Sequence, residues 1–138
     1  MKSLVHIISI IAFFILSAAA CEEDSMDVPA IAELNKQFNI AYNQEISVKN
    51  EDLKIRFSQV NANSLCPEDV QCVWQGKLVI TIKANNQDLE LSIGDQSNST
   101  NTIGGYKVTL LNLVAPVLKS DENTELSDYV VTLMVEPA

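Results

Sequence analysis

The chain has 138 residues, 18 acidic against 9 basic side chains, and a net charge of −9 at neutral pH. That length suits one domain and is short for two, and that charge excludes nucleic acid as a partner, because phosphate must be neutralised by Lys and Arg. His6 is the only histidine and Arg56 the only arginine, which removes zinc held by several histidines and most bidentate guanidinium recognition of carboxylate or phosphate.

Met1-Lys2 is followed by an apolar run from Leu4 to Leu16, broken only by His6 and Ser9, and then by Ser17-Ala18-Ala19-Ala20 before Cys21. One positive charge, a short apolar stretch and small residues before a cut site describe an export signal, whereas a spanning helix needs about 20 apolar residues. The layout resembles bacterial lipoprotein signal peptides, with Ala18 where leucine is commoner. The resemblance implies loss of residues 1–20 and lipid on Cys21, which also accounts for the odd cysteine of three; the alternative is a plain secretory signal that leaves Cys21 a free thiol. Without the leader, His6 is gone and Ser-His and Cys-His nucleophilic pairs go with it. Glu22-Glu23-Asp24 then begin a solvated tether over residues 21–36, ending in a loosely docked leading segment. The acidic run is similar to the signal that sends lipoproteins of some Gram-negative bacteria to the outer face of the outer membrane. The expected place is therefore the outer membrane, anchored by lipid and facing outward or else toward the periplasm. The acyl chains would make the membrane contact, since an anionic lipid face repels so acidic a domain.

From residue 37 the apolar period becomes two. Phe38, Ile40 and Tyr42 alternate with polar or small residues, Asn43-Gln44 allow a turn, and Ile46 and Val48 resume, which predicts a half-buried hairpin. Leu53, Ile55 and Phe57 alternate with Lys54, Arg56 and Ser58 and predict the clearest amphipathic strand. Leu78, Ile80 and Ile82, the Asn85-Asn86-Gln87 turn, and Leu89, Leu91 and Ile93 predict a second hairpin. Residues 94–105 read as an exposed polar linker. Tyr106, Val108 and Leu110 open a strand that stops before Pro116, and Tyr129, Val131, Leu133 and Val135 form the last. About seven strands with short connections and no useful helical period predict a single all-β domain over 37–138, an antiparallel sandwich or small barrel.

Cys66-Pro67-Glu68-Asp69-Val70-Gln71-Cys72-Val73-Trp74-Gln75-Gly76 interrupts this pattern. In an exported chain, cysteines at this spacing are most simply a disulfide. It would close a small ring contributing about 2 to 2.5 kcal/mol through lost chain entropy. Three roles follow. The ring could fasten strand to strand, with Trp74 in or beside the core. It could be a recognition loop, offering Pro67, Glu68, Asp69, Val70, Gln71 and Trp74 already ordered for contact. It could be a redox pair, which Glu68 and Asp69 oppose by raising the thiol pKa. No residue set predicts catalysis, a resident cofactor or a strong metal site. Asp121, Glu122, Asn123 and Glu125 are weak calcium candidates in one oxygen-rich loop, without the helix-loop-helix calcium spacing.

The Cys-Pro-x-Asp-Val-x-Cys-x-Trp-x-Gly text, with the strands after Tyr106 and Asp128, resembles a group of small exported bacterial proteins, many of them predicted lipoproteins. The resemblance covers about residues 38–136. Leu65 and Gln75 depart from its common arginine and alanine. It supports the fold and implies no activity. The leading expectation is a non-enzymatic binding or interaction module held at the envelope, meeting an envelope protein or extracellular ligand through the 66–72 loop and Trp74. The alternatives are a structural or assembly lipoprotein, and a protease-inhibitor-like protein using the same loop.

Overall fold

A computed structural model describes residues 30–94 and 96–138. The predicted signal peptide, Cys21 and the first part of the tether lie outside the described residues.

The described residues form an all-β fold. Nine strands follow in chain order: β1 (Ala30–Ala32), β2 (Gln37–Ala41), β3 (Glu45–Val48), β4 (Lys54–Asn63), β5 (Lys77–Ala84), β6 (Gln87–Gly94), β7 (Thr100–Ile103), β8 (Tyr106–Ala115) and β9 (Val130–Pro137). They make two sheets, one in the order β1-β3-β4-β5-β6 and one in the order β2-β9-β8-β7. Alternation puts Ile55 and Phe57 of β4, Leu78, Ile80 and Ile82 of β5, and Leu91 of β6 on the inner face of the first sheet. Ile40, Val108, Leu110, Val131, Leu133 and Val135 come from the second, and all of them join one buried core. Two sheets that share one apolar interior are a sandwich, because each hides the face the other cannot leave in water.

Four sequence expectations change. Ala30, Ile31 and Ala32, read as part of the tether, form a strand that pairs with Ile46, Ser47 and Val48, and Ala32 is buried. This pairing is parallel, so the sheets are not wholly antiparallel. The linker assigned to 94–105 contains β7, which pairs with Tyr106–Thr109 across the Gly104-Gly105 turn. Finally, β2 and β3 are not a hairpin. β2 pairs with β9, and β3 with β4. Asn43, at φ 62°, turns the chain from one sheet to the other, with its N–H on Phe57 O (2.7 Å) and the Tyr42 N–H on Tyr129 O (2.8 Å). Both segments alternate as a hairpin would; only their partners differ.

The turns separate into two ends. At one lie the β3–β4, β5–β6 and β7–β8 turns. Asn85 closes two of its connections, accepting from the Lys54 N–H (2.9 Å) and donating to Asp52 O (2.6 Å). The Tyr106 hydroxyl also reaches across to Glu51 there, at 2.5 Å. At the other end lie the cysteine loop between β4 and β5 and the long connection from β8 to β9, with one 3-10 turn at Leu126–Asp128.

Candidate functional site

The cysteine loop extends a strand pair before it leaves the sheet. Beyond the Asn63–Leu78 pairing, the Ser64 N–H donates to Lys77 O (2.9 Å) and the Cys66 N–H to Gln75 O (2.8 Å). Two glycines let this neck form. Gly76 has φ +73°, and a Cβ there would lie 1.8 Å from Ser64 O; Gly94 has φ +104°, and a Cβ there would lie 2.1 Å from Gly76 O. The ends of β4, β5 and β6 thus pass each other backbone against backbone, where any side chain would hold them apart.

Past the neck, Cys66 and Cys72 form the predicted disulfide. The ring is fastened a second time, to the β8–β9 connection. The Glu68 N–H donates to Leu118 O (3.0 Å). The Asp69 carboxylate accepts from the Ser120 N–H (2.9 Å) and the Ser120 hydroxyl (2.5 Å). The side-chain bond from Ser120 is the main reason the Asp69 pKa lies below the ordinary aspartate value; the Ser120 backbone bond lowers it further and desolvation works against both. Asp69 therefore holds one loop against the other while staying exposed. Nearby, the Asn63 amide donates to the Tyr129 hydroxyl (2.8 Å), so side chains from both sheets also meet under the loop.

What remains outward is apolar. Val70 is 44% and Trp74 76% exposed, and Val73 is fully exposed. Trp74 does not sit in the core, as the reading of the ring as a strand-to-strand fastener allowed. It borders a shallow depression with Ser64, Lys77 and Gln96. Gln71 and Glu68 are exposed as well, and Pro67 is half-buried.

On its other side the loop forms one wall of a cleft of about 340 Å³. Leu65, Cys66, Glu68 and Gln75 face Ile93 and Gly94 of β6, the second half of β8 and the chain from Pro116 to Leu118. Leu111, Val114 and Val117 are 36%, 43% and 53% exposed. These residues, with Val73, are the part of the surface that sequence reasoning missed. β8 is bulged between Leu110 and Asn112 and again between Leu113 and Ala115. The bulges insert extra residues and break the alternation set by Val108 and Leu110, which would have turned Asn112 and Val114 inward. The signal present in the text was the uncharged run from Leu110 to Leu118.

The calcium candidates do not assemble. No group of three or more acidic, His or Cys side chains able to hold a metal occurs among the described residues. Glu122 pairs with Lys119 (3.2 Å), and Glu125 caps the 3-10 turn, its N–H bonded to Asp128 (2.9 Å). A further depression, about 460 Å³ on the outer face of the first sheet, is lined by charged side chains and by Asn85 and Asn86, and two of its cations are already engaged, Arg56 with Glu45 (3.2 Å) and Lys83 with Asp88 (3.9 Å).

Comparison of the chain with protein-family models, with curated proteins and with solved structures finds no match.

Proposed function

We propose that this protein is a non-enzymatic binding module, anchored to the bacterial outer membrane by lipid on Cys21, that meets its partner through the cysteine loop. The observation that carries the reading is the exposure of Trp74 beside the fully exposed Val73, immediately after a ring closed by a disulfide and fastened again by Asp69. A large aromatic in water gains most by being covered, and tryptophan is enriched among the residues that dominate binding energy. A segment already fixed has little ordering entropy left to lose on binding. The anchor follows from the leader and the acidic tether read in the sequence. It places the loop at the end of a tether rather than against the lipid, consistent with a net charge of −9.

The test is co-purification from the protein's own membranes after crosslinking in intact cells, comparing wild type, Trp74→Ala, and the double substitution Cys66→Ser, Cys72→Ser. The reading expects one envelope partner with wild type, its loss with Trp74→Ala at an unchanged melting temperature, and a weaker loss in the double variant. A partner retained in full by Trp74→Ala removes the loop from the function. Mass spectrometry of the same preparation tests the anchor: diacyl lipid on Cys21 supports it, and a free thiol there refutes it.

A further inference from the structure

The geometry points to a second contact surface: the uncovered half of β8 is a docking edge for an extended peptide of a partner protein, one with alternating apolar residues and a Lys or Arg. This surface does not depend on the outward face of Trp74, so substitutions at the two places fail separately.

The backbone states the case first. β7 pairs with β8 only over Tyr106–Thr109, and one further bond, Leu110 N–H to Ser99 O (2.7 Å), ends that contact. In an antiparallel ladder, successive residues bond alternately to one neighbour and then the other. The odd-numbered residues of β9 bond toward β2, as Tyr129 O does with the Tyr42 N–H and Val135 O with the Asn35 N–H, both at 2.8 Å. Leu113 lies opposite Val131, so its N–H and C=O turn away from β9, to the side that β7 leaves uncovered. Those two groups open into the cleft between β8, the end of β6 and the cysteine loop. They are a donor and an acceptor placed for one residue of an added strand.

The side chains mark this edge as different from the others. Exposed edges are ordinarily kept short, polar or charged, because an apolar edge is a template for pairing. β1 has three residues and β7 four, β2 carries Gln37 and Asn39, and β6 carries Asp88 and Glu90. The second half of β8 has one polar residue, Asn112, among four apolar ones, and the first charged residue after it is Lys119. A contrast inside the protein sharpens the point. The extra residues at the bulges of β4 are Ser58 and Asn61, and both are spent on internal bonds, to Thr81 O (3.0 Å) and Thr81 Oγ1 (2.9 Å). The extra residues of β8 are Leu111 and Val114, turned into water.

Charge selects the occupant. Among the described residues, Glu68 is the one acidic or basic side chain lining the cleft. A second copy of this chain would bring its own Glu68 and the uncharged second half of its β8, whose one lysine, Lys107, is paired with Glu136, and the acidic tether residues Glu22, Glu23, Asp24 and Asp27 would repel the same carboxylate. A peptide with a basic residue beside its apolar positions satisfies both the edge and the acid.

The experiment is selection of a displayed random-peptide library on the intact, disulfide-bonded protein, followed by affinity measurement with synthetic versions of the selected peptides. The expected consensus has apolar residues at alternate positions and one Lys or Arg. Binding should weaken at least tenfold in a Leu111→Lys, Val114→Lys variant, whose exposed sites leave the fold and melting temperature unchanged, and several-fold in E68Q. N-methylation of the peptide should abolish binding at the residue opposite Leu113 and be tolerated at its two neighbours, a pattern that apolar adhesion alone cannot give. No consensus, equal binding by the Leu111→Lys, Val114→Lys variant, or indifference to where the methyl is placed would overturn the inference. So would a concentration-dependent dimer abolished by Val114→Lys, which would assign the edge to a second copy.

Discussion

The two ends of the sandwich are built from the same strands and finished by opposite means. At the end of the Asn85-Asn86 turn, polar side chains close the connections: Asn85 bridges Asp52 and Lys54, and Tyr106 reaches Glu51. At the cysteine-loop end, equally firm fastenings leave Val70, Val73, Trp74, Val114 and Val117 in water. Rigidity alone therefore does not mark a site in this protein, since both ends are rigid. The mark is rigidity without satisfaction, an ordered backbone presenting apolar surface that no described residue covers.

Glycine substitution should give the largest contrast. Gly76→Ala drives a Cβ into Ser64 O in a left-handed conformation, and is expected to cost about 3 to 5 kcal/mol in urea-induced unfolding. Gly104→Ala also meets a positive φ, but in open space, and should cost about 1 kcal/mol. Equal costs would show that the close backbone approach at the neck is not what requires glycine. Next in size, removing the disulfide by Cys66→Ser with Cys72→Ser should cost about 2 kcal/mol. Hydrogen exchange should then rise at the Cys66 and Glu68 amides while the Lys54 and Asn85 amides stay protected.

The smallest effects are pH effects, and the two ends should show them with opposite sign. Asp69 has a lowered pKa because of its bonds from Ser120. Its contribution is present above the ordinary aspartate value and is lost as pH falls through the depressed one. Tyr106 has a raised pKa because its hydroxyl is bonded to Glu51. That contribution is present below the ordinary tyrosine value and is lost as pH rises through the raised one. Acid should loosen the cysteine-loop clasp and alkali the opposite one. An NMR titration following the Ser120 amide and the Tyr106 ring reads both, and coincident midpoints would contradict the separation.

Much of the frame was legible as text. The alternation in Leu53–Phe57, Leu78–Ile82, Leu89–Ile93 and Tyr129–Val135 names strands and their inward faces correctly, because a half-buried strand must repeat every two residues. β1 and β7 were hidden by shortness, since three or four residues hold too few repeats to stand out from polar text. Alternation also cannot say which sheet a strand joins, which is why β2 and β3 passed for a hairpin. In the site, the disulfide was readable from the cysteine spacing and the expectation of export. The clasp between Asp69 and Ser120 was not, because it joins residues 51 positions apart through contacts that only the closed fold creates. The text left Trp74 between core and contact surface, and did not say which way Val114 faces, for a related reason. An apolar residue beside a cysteine or within a strand is ordinarily core, and only the loop's direction and the bulges of β8 put these two outside.

One measurement weighs the two ends directly. A photo-crosslinking amino acid is placed singly at positions 74 and 114 at one end and 86 and 104 at the other, in the full chain in its own membranes. Adducts at 74 or 114 and none at 86 or 104 are the predicted result. Adducts concentrated at 86 or 104, or at none of the four positions, would contradict the assignment of binding to the cysteine-loop end.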